Sequence, residues 1–409
     1  MALTGLDIYK LLPKTNCKKC GRPTCLAFAM QLAQKKANLS DCPDVSEDAK
    51  KVLGAAAEPP IKLVTIGSGA KKVEIGQENV LFRHEEKFYH PTGVAVTIND
   101  DLSDEAFSDR LKKLNSLKIS RVGTEIEIDL VAIINKSNNA EKFAEAAKKV
   151  SNGSHLSIIL SSTSVENMKA ALSNCAEKRP LIHGANSQNC EAMAALAKEN
   201  NCPMTVTATT LEELADLAER AKKTGVGEIV SDVSGNNPKE VLQKLTKVRR
   251  AALKKNFRAL GFPMITFVCD DDPFQEISLA STYLLKYAGI VAVNTCEPWG
   301  IMPLLTARAN IFTDPQKPIQ VEPKLYAVGD VKEDSPVMFT TNFSLTYYTV
   351  EGEVEGSRVP SYILSVDTGG TSVLTAYSGD KLNDKVVAKA MADAKVEAKV
   401  KHRKLIIPG

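Results

Sequence analysis

Four of the chain's nine cysteines, Cys17, Cys20, Cys25 and Cys42, follow the pattern C-x2-C-x4-C-x16-C, with Pro43 after the last. Four thiolates so spaced suit a cubane 4Fe–4S cluster, in which each iron needs one sulfur from the protein. Three ligands on a tight turn clasp one face of the cube, and the fourth arrives from further along the chain. Gly21 follows the Cys-x-x-Cys pair, Pro23 stiffens the x4 loop, and a helical pattern over 26–36 leads toward Cys42. Structural zinc and free thiols are the alternatives. Four-cysteine zinc sites usually come as two short knuckles, and Cys25 and Cys42 do not form a second one. The spacing is also neither the bacterial nor the plant ferredoxin run. By spacing, iron–sulfur leads and zinc stays open. Lys18, Lys19 and Arg22 flank the motif and suit an anionic thiolate cluster.

The other five cysteines (Cys175, Cys190, Cys202, Cys269, Cys296) show no ligand spacing and read as small buried hydrophobes. A chain of 409 residues with 44% apolar and 25% charged residues has material for a large core and several domains. A net charge of +3 gives no reason to expect nucleic acid as a partner. The start lacks a signal-peptide pattern and no apolar run is long enough for a membrane span, so the cytoplasm is the expected location.

Three regions separate. Residues 1–57 hold the cysteine motif and end in the linker-like stretch 54–60, small residues followed by two prolines. Over 58–321, eight short β-branched runs (93–98, 130–134, 156–160, 181–183, 204–207, 228–230, 264–268, 289–293) alternate with amphipathic helical patterns. That is the count of a (β/α)8 barrel, and an open doubly wound sheet fits nearly as well. Asn189 and Thr210 read as helix N-caps. Residues 322–409 change character, with strand patterns at 325–328, 337–341, 362–366 and 372–376, glycine-rich turns, and a helix over 384–394. The apolar ending before Pro408 and Gly409 leads us to expect further residues in the native protein.

Polar residues cluster at the expected carboxyl ends of the barrel strands: Asn99, Asp100, Asn135, Asp232, Asp270, Asp271, Asp272, Asn294 and Glu297. Barrels do their chemistry on that face. Capping and turn roles explain Asn and Asp there equally well.

With these residues in view, the chain resembles the large subunit of corrinoid/iron–sulfur proteins of the reductive acetyl-CoA pathway, and the gamma subunit of archaeal acetyl-CoA decarbonylase/synthase. The resemblance rests on LTGLDIYKLLPKTNCKKCGRPTCLAFAMQLA with Asp41-Cys42-Pro43, on VDTGGTSVLTA over 366–376, and on HRKLIIPG over 402–409. It implies a 4Fe–4S module, a TIM barrel and a Rossmann-like corrinoid-binding domain. It also implies a small barrel subunit as heterodimer partner, a methyltetrahydrofolate methyltransferase, CO dehydrogenase/acetyl-CoA synthase and a reductive activator. The implied role is methyl carriage: cobalt(I) accepts the methyl group, and the cluster returns stray cobalt(II) to cobalt(I).

The chain lacks D-x-H-x-x-G, the motif through which another corrinoid class places a histidine under cobalt. His183, in LIHGAN, has no Asp two residues before it and reads as a strand-end or core histidine. A base-off corrinoid without an axial side chain is therefore expected. Its contacts are expected at Thr368, Gly369, Gly370, Thr371, Ser372 and Val373, where two glycines permit close backbone approach and hydroxyls offer hydrogen bonds. Thr340, Thr341, Asn342 and Thr346, in a hydroxyl-rich loop, and Leu405 and Ile406, against the ring, complete the set. A plain hairpin turn, a solvated loop and a core strand are the respective alternatives. Two rival functions stand beside the methyl carrier: a pterin-dependent methyltransferase barrel, and an electron-transfer or scaffold subunit without corrinoid.

Overall fold

The computed structural model describes residues 5–33, 37, 39–46, 49, 59–121, 124–268, 270–314 and 318–408. The linker-like stretch lies almost wholly outside these residues, as does Cys269. The chain forms two compact units. One takes in the chain up to Leu81, Phe88–Leu117 and Ile128–Ile311; the other combines Phe82–Lys87, Lys118–Glu127 and Phe312–Gly409.

The first unit begins with two short helices, α1 (Gly5–Leu11) and α2 (Cys25–Ala33). Ile8, Leu12, Phe28, Ala29 and Leu32 form a small core with the buried Cys25 and Cys42. A hairpin follows, β1 (Val64–Ile66) paired antiparallel with β2 (Val73–Ile75).

The barrel strands are β3 (Gly93–Asn99), β6 (Leu130–Ile134), β7 (Ser157–Ser161), β8 (Leu181–Ala185), β9 (Met204–Thr207), β10 (Ile229–Asp232), β11 (Met264–Val268) and β12 (Ile290–Val293). The intervening β4 (Lys118–Arg121) and β5 (Thr124–Glu127) form a hairpin that belongs to the second unit. All eight strands pair in parallel and β12 closes on β3, so the sheet is a closed barrel and not an open doubly wound one. Each expected run became a strand because its residues are buried on both faces: β12 is buried at all four positions.

The outer helices are α3 (Asp104–Asn115), α4 (Ala140–Gly153), α5 (Val165–Leu172), α6 (Cys190–Glu199), α7 (Leu211–Thr224), α8 (Pro238–Lys254), α9 (Pro273–Leu285) and α10 (Pro298–Ile311). Thr210 caps α7 by accepting the Glu213 N–H, and Gly225 ends it in the left-handed region at φ +104°. Asn189 departs from expectation. Its side-chain Oδ1 accepts the Asn186 N–H, and its Nδ2 donates to the Thr163 and Gly184 carbonyls rather than capping α6. Helix α10 gave no periodic signal because Pro303 lies inside it and apolar residues surround it.

The second unit carries β13 (Leu325–Val328), β14 (Val337–Thr341) and β15 (Ser361–Val366) in the order β13-β15-β14. Helix α11 (Ser344–Ser357) connects β14 to its parallel neighbour β15, while β13 runs antiparallel to β15. Ile363 packs with Tyr347 and Val354 of α11. Leu364 and Val366 pack on the other face with α12 (Val373–Ser378) and α13 (Asp384–Asp393). The unit is thus α/β with one parallel crossover and one antiparallel edge. Residues 372–376, expected as a strand, are instead the cap and first turns of α12. Ser372 through Ala376 bury only Ala376, a pattern that suits a helix lying on a sheet. Thr340 and Thr341 belong to β14 and Thr346 to α11, so the expected loop is a strand end, a short turn and a helix start.

The β1–β2 hairpin plugs the barrel's amino end. Val64, Ile66 and Ile75 are fully buried in one cluster with Ala95, Leu130, Ile159, Leu181 and Ile290. Ile75→Ala should therefore lower unfolding free energy by about 2–5 kcal/mol, the range for large-to-small core changes. Urea denaturation of the full chain measures it, and a loss below about 0.5 kcal/mol would mean that the hairpin does not seal the core.

Candidate functional site

The four clustered cysteines sit where turns and helix starts hold them. Asn16 accepts the Cys25 N–H through Oδ1 at 2.8 Å, and Thr24 caps α2 by accepting the Ala27 N–H at 3.0 Å. The Gly21 N–H donates to the Lys18 carbonyl at 2.9 Å, closing the turn after Cys20, and Gly21 adopts φ +72°. The Cys42 N–H donates to the Leu39 carbonyl at 3.3 Å. Cys17 is exposed, Cys20 half-buried, and Cys25 and Cys42 buried. Asp44 accepts from Lys19 at 3.2 Å and lies 3.5 Å from the Cys17 sulfur.

Burial, above all, pushes the Cys42 thiol up; charge on Cys20, Cys25 and Cys17 pushes it further, against a backbone hydrogen bond involving Asp44. The other three sulfurs thus lie within electrostatic reach of Cys42, and a cationic centre relieves the opposition to its ionisation. Among the described residues no three Cys, His, Asp or Glu side chains are grouped as around a single metal ion. The donor set, four sulfurs within electrostatic reach, fits the cluster.

In the second unit the carboxyl ends of β14 and β15 lie side by side, with Thr341 opposite Val366. Asn342, fully buried, follows β14 and organises the turn after β15. Its Oδ1 accepts from the Thr368 and Gly370 backbone N–H groups at 3.0 and 2.9 Å. Its Nδ2 donates to Gln320 at 3.0 Å and to Asp367 at 3.2 Å. Gly369 and Gly370 take φ +66° and +72°. A Cβ on Gly370 would stand 2.6 Å from the Gln320 side chain, so this glycine is required by its own turn. The Thr371 hydroxyl donates to the Thr368 carbonyl at 2.9 Å, and Ser372 to Thr375 at 3.0 Å. The hydroxyls expected to face a ligand therefore brace the turn first. Thr340, Thr341 and Ser365 carry buried hydroxyls with no hydrogen-bond partner among the described residues.

A family model described as CO dehydrogenase/acetyl-CoA synthase delta subunit matches residues 63–409, and an FeS model for Fe-S clusters matches residues 12–43. The corrinoid/iron-sulfur protein large subunit of Moorella thermoacetica is 45% identical over 409 residues, covering 100% of this chain and 92% of its own. This chain belongs to the corrinoid/iron–sulfur protein large-subunit family. The acetyl-CoA decarbonylase/synthase complex subunit gamma of Methanothermobacter thermautotrophicus is 37% identical over 422 residues, with 100% and 92% covered. Among solved structures, 7,8-dihydropteroate synthase from Vibrio fischeri aligns with 62% of this chain and 100% of its own, at 12% identity and TM-score 0.44.

In this member of the corrinoid/iron–sulfur family, Thr346 is half-buried in the first turn of α11, Thr368 is buried, and Gly369 is exposed. Leu405, half-buried, packs against two buried clusters, one containing Leu364 and Val366 and the other Val337 and Val396. Ile406, 52% exposed, bridges in parallel to Met338. The two neighbours thus differ: Leu405 is half-buried against the sheet's core, and Ile406 is exposed. Sequence reasoning missed Gln320 and placed Asn342 in a ligand-facing loop, whereas its amide braces the turn after β15. A buried amide immediately after a strand and facing a Gly-Gly turn is the signal that could have found it.

Most barrel-end residues do structural work. Asp272 caps α9, Asp100 holds Asn135 and Ser137, and Glu297 pairs with Lys113. Of the lone cysteines, Cys175, Cys190 and Cys202 are buried as expected. Burial pushes Cys175 up to about 12. Cys296 is half-buried beside Arg110.

Cys20→Ala removes one of the four sulfurs. Its iron content, measured per chain beside the native protein, should fall to a small fraction, and the reduced-state cubane EPR signal should vanish. A full 4Fe–4S spectrum in that variant would take Cys20 out of the ligand set.

Proposed function

We propose that this chain is a methyl-carrier and electron-transfer subunit of the acetyl-CoA pathway, passing a methyl group from a methyltetrahydrofolate methyltransferase to acetyl-CoA synthase. The observation that carries this reading is the co-occurrence, in one chain of this family, of a four-sulfur module and a strand-end glycine turn. When bound, the corrinoid supplies a cobalt centre that accepts and releases methyl, and the 4Fe–4S cluster supplies low-potential electrons that restore it.

The chain's own residues do the holding. Cys17, Cys20, Cys25 and Cys42 each provide one thiolate, with Asn16 and Thr24 fixing the backbone around Cys25. Thr368, Gly369, Gly370, Thr371, Ser372 and Val373 form the edge against which a flat macrocycle lies. Asn342 is the residue that keeps that edge in shape. Thr340 and Thr341 end β14 and Thr346 lies in the first turn of α11, near the carboxyl ends of parallel strands, where open α/β sheets bind ligands. Buried hydroxyls without partners cost about 1–3 kcal/mol each, which polar groups of a ligand would offset. Residues 322–409 act as a Rossmann-like corrinoid domain, 1–57 as a separate cluster module and 58–321 as the barrel. A small barrel subunit completes a heterodimer, and a reductive activator supplies electrons. No histidine in a D-x-H-x-x-G setting is present to ligate cobalt from below.

Gly370→Val is a poor probe of the corrinoid edge because strain and Gln320 would disturb the turn in any case. Asn342→Ala is better: cobalt per purified chain should drop several-fold while iron per chain stays unchanged. Equal cobalt in variant and native protein would remove the glycine turn from the corrinoid site. In the native protein the cobalt(II) EPR spectrum should lack splitting from an axial nitrogen.

The cluster's task is separable. Protein lacking the cluster but already reduced at cobalt should accept labelled methyl from methyltetrahydrofolate at the native rate. It should fail to recover after oxidation when given a low-potential donor. Recovery at the native rate would refute the reductive role, and a cobalt-free native complex would refute the carrier role itself.

A further inference from the structure

The barrel carries a polar constellation that neither cofactor uses. Ser161 ends β7, His183 lies in β8, Thr207 ends β9 and Asp232 ends β10. Ser161 pairs in register with His183, and Thr207 with Asp232, so the four form one layer at the carboxyl mouth. Ser161 Oγ stands 2.8 Å from His183 Nδ1, and His183 Nε2 stands 3.0 Å from Asp232 Oδ2. The Thr207 hydroxyl donates to the same carboxylate oxygen at 3.0 Å, and the Ser234 backbone N–H donates to Oδ1 at 2.8 Å.

Asp232 is only 4% exposed. Burial works against its charge, yet His183 and the donors of Ser234 hold its carboxyl below the usual range, so it remains a carboxylate. A carboxylate facing Nε2 places the imidazole proton there. Nδ1 then carries the lone pair and accepts the Ser161 O–H.

The layer is built and half open. The ring of Phe267 lies 4.5 Å from the imidazole, centroid to centroid, and Ile159, Leu181 and Val230 form the apolar floor. Register shifts between Ile182 and Ala185, beside the histidine. There Gly184 holds φ +116° and a Cβ would meet the Ser162 carbonyl oxygen at 2.3 Å. A bulge of this kind re-aims a side chain and recurs next to active sites. Ser161 and His183 both keep partial exposure.

A hydroxyl within reach of a base, itself oriented by a third group, is the signature of an activated nucleophile. We propose that Ser161, His183 and Asp232 form such a triad and act on a small acyl ester or thioester entering the barrel mouth. Ser161 Oγ bonds to the acyl carbon as its proton passes to His183 Nδ1. The bond from that carbon to the leaving oxygen or sulfur breaks, and the leaving group takes the proton from Nδ1. Water then attacks the Ser161 ester, gives a proton to the same nitrogen, and the acid departs as that proton returns to Ser161. Ser161 and His183 are the catalytic residues; Asp232 is a positioning residue and stays ionised throughout.

The test uses the full chain, purified with the subunits that accompany it, and a fluorophosphonate probe whose attachment site is read by peptide mass spectrometry. Ser161 should be labelled faster than any other serine of the chain. The labelling rate should fall about 100-fold or more in His183→Gln and in Asp232→Asn, with thermal unfolding and iron content unchanged. Hydrolysis of p-nitrophenyl acetate should disappear in Ser161→Ala. Should either charge-site variant fail to fold, the other carries the comparison, and labelling of the native protein stands by itself. An unlabelled Ser161 in the native protein, or labelling at the native rate in a folded His183→Gln, overturns the triad.

Discussion

A parallel strand covered on both faces can offer polar side chains to a ligand only where it ends. Everything chemical in the barrel and in the C-terminal sheet follows from that constraint. In the barrel, the strand interiors are mostly apolar, and Ser161, His183, Thr207 and Asp232 gather toward the carboxyl rim. In the C-terminal sheet, helices on both faces leave only the ends of β14 and β15, and there Asn342 meets the glycine turn. Ser231 and Thr266 run against the rule as buried hydroxyls without partners among the described residues. Nothing in the structure explains them.

The cysteine module answers a different demand. It has too few residues for a large core, and two of its sulfurs, on Cys25 and Cys42, are counted among its buried side chains. Its stability and its chemistry are therefore linked. Cys42, packed in that core, is also the thiol whose ionisation burial and the neighbouring sulfurs oppose, and metal binding relieves that cost. Lys19 and Asp44 form an ion pair at the exposed edge beside Cys17, a polar rim on a site whose interior is sulfur and hydrocarbon.

The eight barrel strands were legible because β-branched runs alternate with amphipathic helical stretches, and the boundaries agree to within two residues in all eight. Helix α10 was not legible, because Pro303 reads as a breaker and its apolar residues show no face. The hairpin β1–β2 was missed because three-residue strands carry no period. Residues 372–376 read as a strand by their Thr, Ser and Val content, yet the sheet had no place for another strand there and the segment wound into α12. His183 looked like an ordinary strand-end histidine, since its partners are 22 and 49 residues away.

By itself the sequence displayed the four-cysteine motif, the alternation of eight strands with helices, and the family resemblance, because each rests on local spacing, periodic burial or motifs that one stretch of chain displays. Only the tertiary structure decided which polar residues meet. Asn342 reaches Thr368 and Gly370, and His183 reaches Asp232, through parallel pairing of strands joined by whole helices. Such partners are set by register across a sheet, and register is a property of the closed fold: a shift by one residue would turn each of these side chains to the opposite face.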